Sequence, residues 1–399
     1  MKKKLTIWLV TAVLLAALAV TGGLLLRNGG GLTPVLQAAT PAPETPSPQP
    51  TATATPTATP TPTPEPTPTP IPRSPTTGKR YPEGTTPTYR PVMVSIENSS
   101  GARPQTALNL ADIIYEAPVE YAITRLHAVF NDQYPLFAGP VRSSRIYWMR
   151  LQQEWKSMYV HRGYGGPMFE YDWIGVHVES YIMDTGDMFW RDRSGRKDVH
   201  TLMVNVGELA EAFYGDYQPE PHQRYLFDEQ PVQGEGAGKP FEKVALNFFY
   251  RRQEEKNWVT FAYDGETNTL NRYQDGRIWK TLTPVSGRSP STYRTEKEAF
   301  FTQNLIVQYA TFTELDDADK HRNAELSGRG LCDYFINGLH YTGYWSRPTY
   351  EDYTSYYLDS GELVTLEPGR TWICIHPDDY AESPVAITYQ DGTRLERTA

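Results

Sequence analysis

Apolar and polar residues form three different patterns along the 399-residue chain. Residues 5–26 carry no charge, residues 41–72 are almost only Pro, Thr, Ala and Ser, and the remainder mixes apolar and polar positions. These patterns predict a membrane span, an extended linker and a folded region. We therefore divide the chain into an anchor at 1–27, a disordered Pro/Thr-rich linker at 28–88, and two domains at 89–232 and 241–385.

The first pattern is long enough to cross a bilayer. Residues 5–26 would extend about 33 Å as a helix. Lysines 2–4 precede the span and Arg27 follows it, which predicts that the rest of the chain is exported. A cleaved signal peptide has a shorter apolar region, and lipid attachment needs a cysteine that is missing here. We expect a single-pass anchor in the cell membrane with extracytoplasmic domains, and cleavage stays open.

The second pattern excludes regular structure. Thirteen of the 33 prolines lie within residues 41–72. Such a segment adopts extended polyproline-like conformations, so its 32 residues reach up to about 100 Å. The linker is either a spacer into the cell wall or a tether of no particular length.

Within residues 89–232, alternating runs predict strands at "PVMVSIE", "IIYEAPVE", "TRLHAVF" and "SMYVHRG". The run "SSRIYWMRLQQEWK" predicts a helix, because Trp148, Leu151 and Trp155 share one face. Ser143 or Ser144 is its expected N-cap. Strands and helices do not alternate regularly, so this domain is predicted to be α+β with a mixed sheet.

Residues 241–385 predict a β-rich domain of successive antiparallel strands. Runs such as "NWVTFAYD", "NLIVQYATF" and "TWICIHPDD" are separated by Asp-Gly and Asn-Gly turns. Tyr341, Tyr344 and Trp345 are either half-buried strand residues or a platform for stacking sugars. No catalytic constellation is visible in this region.

The charge and the cysteine content of the chain limit what it can bind and how it can be cross-linked. The formal net charge is −9, which argues against nucleic acid, because phosphate binding needs a basic face. The two cysteines, Cys332 and Cys374, either form one disulfide outside the cytoplasm or stay free as small buried residues.

The run "ADIIYEAPVEYAITR" holds the first cluster of charged residues. On a strand, Glu116 and Glu120 face the same side about 13 Å apart, beyond the spacing of glycosidase carboxylates. Asp112, Glu116, Glu120 and Arg125 are therefore candidates for a salt-bridge network or for a ligand site.

The run "AGPVRSSR" holds the second cluster. Arg142 and Arg145 lie at the predicted helix start, where cations are disfavoured and anions are favoured. They need a negative partner, either Glu116 or Glu120 or a bound carboxylate or phosphate. Ser143 is also a candidate ligand residue, although no G-x-S-x-G pattern marks a nucleophile.

The third cluster offers His161, Gly163, His200 and Asn205. The histidines could act as acids or bases, or as structural hydrogen-bonding groups. Neither an H-E-x-x-H pattern nor a phosphate-loop pattern is present, so no metal site and no cofactor are expected.

One long segment runs from "RPVMVSIENSSGARPQTALNLADIIYEAPVE" through "GPVRSSR" to "VHRG", and a second runs from "TQNLIVQYA" to "TWICIHP". Both resemble the YerB-like lipoprotein family, which is a bacterial exported family of unknown function found mainly in Gram-positive bacteria. The resemblance implies N- and C-terminal parts and membrane attachment, and this chain lacks the family's lipid-attachment cysteine. The matching residues are Arg103, Asp112, Glu116, Glu120, Arg125, Arg142, Ser143, Arg145, His161, Gly163, His200 and Asn205.

These observations favour a non-catalytic, extracytoplasmic envelope protein that binds an anionic cell-wall component or a partner protein. The alternative is a cell-wall hydrolase or transferase with Glu116 or Glu120 as base and the arginines holding negative charge. The expected partners are a cell-wall polymer or an envelope protein, and the membrane through the N-terminal helix.

Overall fold

A computed structural model describes residues 72–85, 88–166, 178–179, 188–215, 218–221, 225–231, 238–249 and 258–397. The predicted anchor and most of the predicted linker lie outside these residues. Among the described residues, no helix is both long and apolar enough to span a bilayer.

In the described residues before 232, the chain forms short strands and two α-helices. The strands are β1 (Val92–Glu97), β2 (Ile113–Val119), β3 (Ile123–Phe130), β4 (Met158–His161), β5 (Val178–Glu179), β6 (Phe189–Arg191), β7 (Leu202–Val204) and β8 (Leu226–Phe227). The helices are α1 (Ile146–Trp155) and α2 (Val206–Tyr214). The four strands and the helix predicted from the apolar pattern are thus confirmed as β1 to β4 and α1.

The second part is almost entirely strands. They are β9 (Lys239–Leu246), β10 (Val259–Asp264), β11 (Thr269–Gln274), β12 (Arg277–Ile278), β13 (Lys280–Ser286), β14 (Arg294–Ala299), β15 (Phe301–Thr302), β16 (Asn304–Ala310), β17 (Phe312–Glu314), β18 (Arg322–Ala324), β19 (Gly328–Ile336), β20 (Leu339–Arg347), β21 (Ser355–Leu358), β22 (Thr365–Leu366), β23 (Thr371–Pro377), β24 (Val385–Tyr389) and β25 (Arg394–Arg397). The sheet-rich, mixed fold with few helices is confirmed.

One central sheet contains strands from both parts of the chain. Its order is β5-β4-β1-β3-β2-β23-β16-β19-β20-β21. The strands β5, β4, β1, β2, β23 and β16 all point the same way, so their carboxyl ends meet at one edge, which we call the carboxyl edge. Glu97, the last residue of β1, and Glu120, which follows β2, lie at this edge.

The strand β23 corrects one expectation. The apolar pattern predicts an antiparallel strand there, but β23 pairs in parallel with β2 on one side and β16 on the other. All seven residues of β23 are buried, as expected for a parallel strand covered on both faces. The two predicted domains therefore share one sheet through this strand.

A second sheet covers one face of the central sheet. Its order is β25-β24-β9-β10-β11, and the short strands β12 and β15 each pair with β11. Aromatic rings fill the layer between the sheets: Trp372 of β23 lies 5.6 Å from Phe261 and 5.7 Å from Trp279. Helix α1 packs on the opposite face, where Trp148 and Trp155 are buried with Tyr115 and Ile373.

The two cysteines are free, and they lie on opposite faces of the central sheet. Cys332 belongs to the core that includes helix α1, and Cys374 belongs to the core between the sheets. Because the side chains point away from each other across the sheet, the disulfide alternative is not formed. Burial raises the pKa of both thiols.

Three local expectations need correction. Helix α1 has Arg145 as its N-cap and no side-chain capping bond, so neither serine caps it. Tyr341 and Trp345 are buried strand residues, which excludes the stacking platform. Ser74, Thr76 and Thr77 fall within the predicted linker but are buried, because they hydrogen-bond Asp132 and Asp112. The end of the linker therefore belongs to the folded unit.

Candidate functional site

Glu97 organises the charged residues at the carboxyl end of β1. Its carboxylate is buried, and its Oε2 atom lies 2.8 Å from His200 Nδ1 and 3.0 Å from Arg142 Nε. Its Oε1 atom accepts a 2.8 Å hydrogen bond from the Ser99 hydroxyl. The Arg142 side chain remains 31% exposed and the His200 side chain 15% exposed. Glu97 thus holds a cation and an imidazole at the surface.

His200 is oriented by this contact. Its Nδ1 atom faces Glu97, so Nε2 is the ring nitrogen on the far side, close to Gly101. A Cβ atom at position 101 would lie 2.8 Å from Nε2, closer than real side-chain contacts allow. Glycine at this position therefore permits the observed placement of the imidazole.

Arg125 lies beneath the loop that carries Arg142 and Ser143. It is buried at the start of β3, and its Nη1 atom donates a 3.3 Å hydrogen bond to the Ser143 carbonyl. Within the described part of the chain its Nε atom has no hydrogen-bond partner. Burial, and then the charge of Arg145, lower the pKa of Arg125 to about 10. No carboxylate of the described residues forms an ion pair with this guanidinium.

Arg145 pairs with Glu120, which confirms the internal-carboxylate interpretation for this arginine. The Arg145 Nε atom lies 3.0 and 3.1 Å from the two carboxylate oxygens, and the Arg322 backbone N–H donates to Glu120 at 2.8 Å. Burial opposes ionisation of Glu120, but the bonds and charge of Arg145 outweigh it and lower the pKa of Glu120. The partner of Arg142 is Glu97, which the sequence analysis did not identify.

Glu116 belongs to the core. Its carboxylate lies 3.1 Å from Arg272 Nη2, and both side chains are fully buried. Thr124 donates a 2.7 Å hydrogen bond to the carboxylate, and the Arg272 guanidinium lies 4.1 Å above the ring of Trp279. Because Glu116 and Glu120 are both ion-paired to arginines, neither is placed as the general base of the enzyme alternative.

Asp112 and Asn205 lie elsewhere and have structural contacts. Asp112 accepts hydrogen bonds from Thr76 and from the backbone N–H groups of Asn131 and Asp132, at 2.8 to 2.9 Å. Burial and then the charge of Asp132 raise its pKa to about 7. Asn205, at the start of α2, accepts a 2.8 Å bond from Trp190.

His161 and Gly163 shape the neighbouring loop after β4. His161 is buried and its Nδ1 atom lies 2.8 Å from the Gly163 carbonyl. Gly163 has a φ of +72°, and its carbonyl also accepts the Ser144 N–H at 2.9 Å. The loops 142–145 and 162–165 are therefore joined by backbone hydrogen bonds.

A buried chain of polar side chains supports these loops from below. His127 Nε2 lies 2.6 Å from the Tyr159 hydroxyl, which donates to the Ser144 hydroxyl at 2.7 Å. Burial, and then the charge of Arg125, hold the pKa of His127 well below its usual range. A neutral His127 stacked 3.7 Å from Trp148 thus fixes the floor of the site.

Arg103 extends the positive charge beyond Glu97. It donates to the Asn98 carbonyl at 2.9 Å, and its Nη1 atom lies 3.6 Å from Asp275. Arg103 and Asp275 both line an open groove of about 590 Å³ with Arg277, Lys280 and Lys297. Between Arg103 and His200, Arg196 donates to the Ala102 carbonyl at 2.9 Å. We call this surface the basic edge; it comprises Arg103, Arg142, Arg196, His200, Arg277, Lys280 and Lys297.

Among the described residues, no group of three or more His, Cys, Asp or Glu side chains could hold a metal ion. Glu97, His127, Ser144 and Tyr159 were not identified from the sequence as site residues. A signal for Glu97 is present: it is the acidic last residue of a strand that is apolar except for Ser95, and the polar run "NSS" follows it.

Comparison with known proteins gives matches to both parts of the chain. A model described as the N-terminal domain of a protein of unknown function (DUF3048) matches residues 76–218, and the corresponding C-terminal domain matches 246–373. A relative from Bacillus subtilis (strain 168), named "Putative lipoprotein YerB", is 26% identical over 309 residues, which are 77% of this chain and 86% of that protein. The crystal structure of YerB protein from Bacillus subtilis has the same fold, with a TM-score of 0.61 and 24% identity over 79% of this chain and 99% of that chain.

Proposed function

This chain belongs to the DUF3048 family, as its sequence resemblance to the YerB-like proteins indicated, and we propose that it binds an anionic cell-envelope polymer without catalysis. The chain is held to the membrane by residues 5–26, and its folded part lies outside the cytoplasm. The relative's name as a lipoprotein supports membrane attachment. The missing lipid-attachment cysteine favours attachment through a helix.

The observation that carries the proposal is the surplus of guanidinium groups at the carboxyl edge. Arg125, Arg142 and Arg145 gather near the start of α1, and the two carboxylates there, Glu97 and Glu120, already serve Arg142 and Arg145. Arg125 adds positive charge beneath the loop, and Arg142 presents its charge at the surface. Guanidinium groups with spare N–H donors suit carboxylate and phosphate ligands.

The basic edge provides length as well as charge. From Arg142 it passes His200, Arg196 and Arg103 into the groove with Arg277, Lys280 and Lys297. A row of partly exposed cations suits a polymer with repeated negative charges better than a single small anion. Phosphate-bearing or carboxylate-bearing wall polymers have this chemistry.

The test is sedimentation of the full-length protein, in detergent, with cell-wall sacculi that carry or lack their anionic polymers. We expect retention on intact sacculi that falls with rising salt, because the contacts are between exposed charges. The variants R142A and K280A/K297A should each reduce retention. The control R329A removes an exposed arginine that stacks on Tyr344, away from the basic edge, and should retain binding.

Equal retention on stripped sacculi contradicts the proposal. Soluble fragments released from the sacculi by the wild type, and lost in R142A, would instead support the hydrolase or transferase alternative. The Glu97–His200 contact is the feature that this alternative would use, since a carboxylate can orient an imidazole for proton transfer.

A further inference from the structure

A second groove lies at the carboxyl edge, on the other side of the Arg145–Glu120 pair. It has a volume of about 550 Å³ and is formed where β2, β16 and β23 end. Glu120 and Tyr121 follow β2, Phe312 follows β16, and Pro377 ends β23. Crevices outside the carboxyl ends of parallel strands are common ligand sites, because several loops converge there. Both parts of the chain contribute to this groove.

The groove is negatively charged, in contrast to the basic edge. Its acidic residues outnumber its basic residues; they are Glu120, Glu314, Asp319, Asp378, Asp379 and Glu382, against Lys320 and Arg322. Lys320 already pairs with Asp316 at 3.5 Å. In the part of the chain that the structure describes, Glu314, Asp319 and Glu382 have no cationic partner. The groove therefore repels an anionic polymer and attracts a cation.

Aromatic side chains give the groove apolar contact area. Tyr121 is 84% exposed at the tip of the β2–β3 hairpin, and Phe248, Phe249 and Phe312 line the walls. An exposed aromatic residue beside a groove is a typical anchor at a protein–protein contact. A small inorganic cation would leave these rings unused.

The wall of the groove also offers backbone groups. The strands β17 and β18 form a two-stranded sheet, and no further strand among the described residues pairs with it. Phe312, Glu314 and Arg322 of this hairpin line the groove. The Arg322 N–H of β18 already donates to Glu120, so β17 is the strand whose edge the proposal uses. An open strand edge can accept an extended peptide through main-chain hydrogen bonds, while the groove takes its side chains.

We propose that this groove docks an extended, basic peptide segment of another envelope protein, with alternating cationic and apolar side chains. The carboxylates of Glu314, Asp319 and Glu382 receive the cations, and Tyr121, Phe249 and Phe312 contact the apolar side chains. The chain then joins two partners of opposite charge: an anionic polymer on the basic edge and a basic segment in the groove.

The experiment uses the full-length protein in detergent and a fluorescent ten-residue peptide of alternating Lys and Leu, read by anisotropy. The charge reversal D379K/E382K should weaken binding by about tenfold or more, because it replaces attraction with repulsion. Y121S should weaken binding by about threefold to tenfold through the lost apolar contact. Tyr121, Asp379 and Glu382 are all exposed, so both variants should keep the fold.

Two controls isolate the groove. E266K reverses an exposed acid in the β10–β11 turn and should change affinity less than about twofold. R142A changes a residue of the basic edge and should leave peptide affinity unchanged. A loss of peptide binding can therefore be distinguished from a loss of polymer binding. A Lys–Ser peptide should bind much more weakly than the Lys–Leu peptide.

Three results would overturn the proposal. The first is peptide affinity that is unchanged by both D379K/E382K and Y121S. The second is equal binding of the Lys–Ser peptide, or equal competition by spermine, which would make the groove a site for any polycation. The third is self-association that Y121S abolishes in analytical ultracentrifugation, with no peptide binding, which would assign the groove to a second copy of this chain.

Discussion

Two glutamates of the central sheet, Glu116 and Glu97, contact arginines for different purposes. Glu116 and Arg272 are both fully buried between the sheets, 3.1 Å apart. Glu97 is also buried, but its partner Arg142 is 31% exposed and shares the carboxylate with His200. The difference arises from position: Glu116 points into the layer between two sheets, whereas Glu97 is the last residue of its strand.

This contrast distinguishes ion pairs that only stabilise the fold from charged groups that a ligand can reach. An ion pair without solvent access cannot offer charge to a ligand, and its removal leaves an unpaired charge in the core. A pair at the end of a parallel strand can keep one partner ordered and accessible. Burial of both partners is therefore the property that distinguishes the two classes in this molecule, rather than the presence of arginine and glutamate.

The largest expected effect comes from breaking the buried pair. R272M leaves the Glu116 carboxylate without a cation, so the free energy of unfolding should fall by about 3–5 kcal/mol. Urea unfolding monitored by tryptophan fluorescence measures it. The double variant E116L/R272M removes both charges and should recover most of the loss. If the double variant is as unstable as R272M, the unpaired Glu116 charge is not the cause of the lost stability.

An intermediate effect is expected at Asp112, a buried carboxyl group that has no ion-pair partner in the part of the chain that the structure describes. Its folded pKa of about 7 exceeds the unfolded value of about 3.9, so its stabilising contribution is present below about pH 4 and is lost as pH rises through 7. Relative to D112N, the wild type should lose roughly 1–3 kcal/mol of unfolding free energy between pH 4 and pH 8. Asn retains one oxygen acceptor for the Asn131 and Asp132 N–H groups. Parallel pH profiles of the two proteins would contradict the raised pKa.

The smallest effect on stability is expected at the edge cluster. In G101A the new Cβ would approach His200 Nε2 to 2.8 Å, so the imidazole must shift or rotate, which disturbs its contact with Glu97. Unfolding free energy should change by less than about 1 kcal/mol, because the site is at the surface. The imidazole N–H resonance of His200 should shift, and retention on intact sacculi should fall. Unchanged retention with a shifted resonance would remove His200 from the basic edge.

Much of the fold follows from local sequence patterns. The strands β1 to β4 and the helix α1 are readable because alternation and helical spacing are properties of neighbouring residues. The Asn337-Gly338 turn joins β19 and β20 with both residues at positive φ, as such a dipeptide predicts. The parallel position of β23 is not readable in this way, since pairing with β2 depends on residues distant in sequence.

The candidate site was only partly predictable for the same reason. Arg142 and Arg145 were identified because cations are unfavourable at a helix start. Their partners differ, Glu97 for one and Glu120 for the other, and only the folded sheet determines which carboxylate each arginine meets. Glu116 and Arg272 illustrate the limit further: their partnership joins β2 to β11 across two sheets.

The position of β23 has a consequence for how the chain folds. Ile113 pairs with Thr371, so the middle of the sheet closes only when a late segment inserts between two earlier strands. Such non-local pairing raises contact order and slows folding. Until Thr371–Pro377 arrives, β2 and β16 each present an unpaired edge that is prone to aggregation. A chain truncated before Thr371 should therefore need chaperone protection.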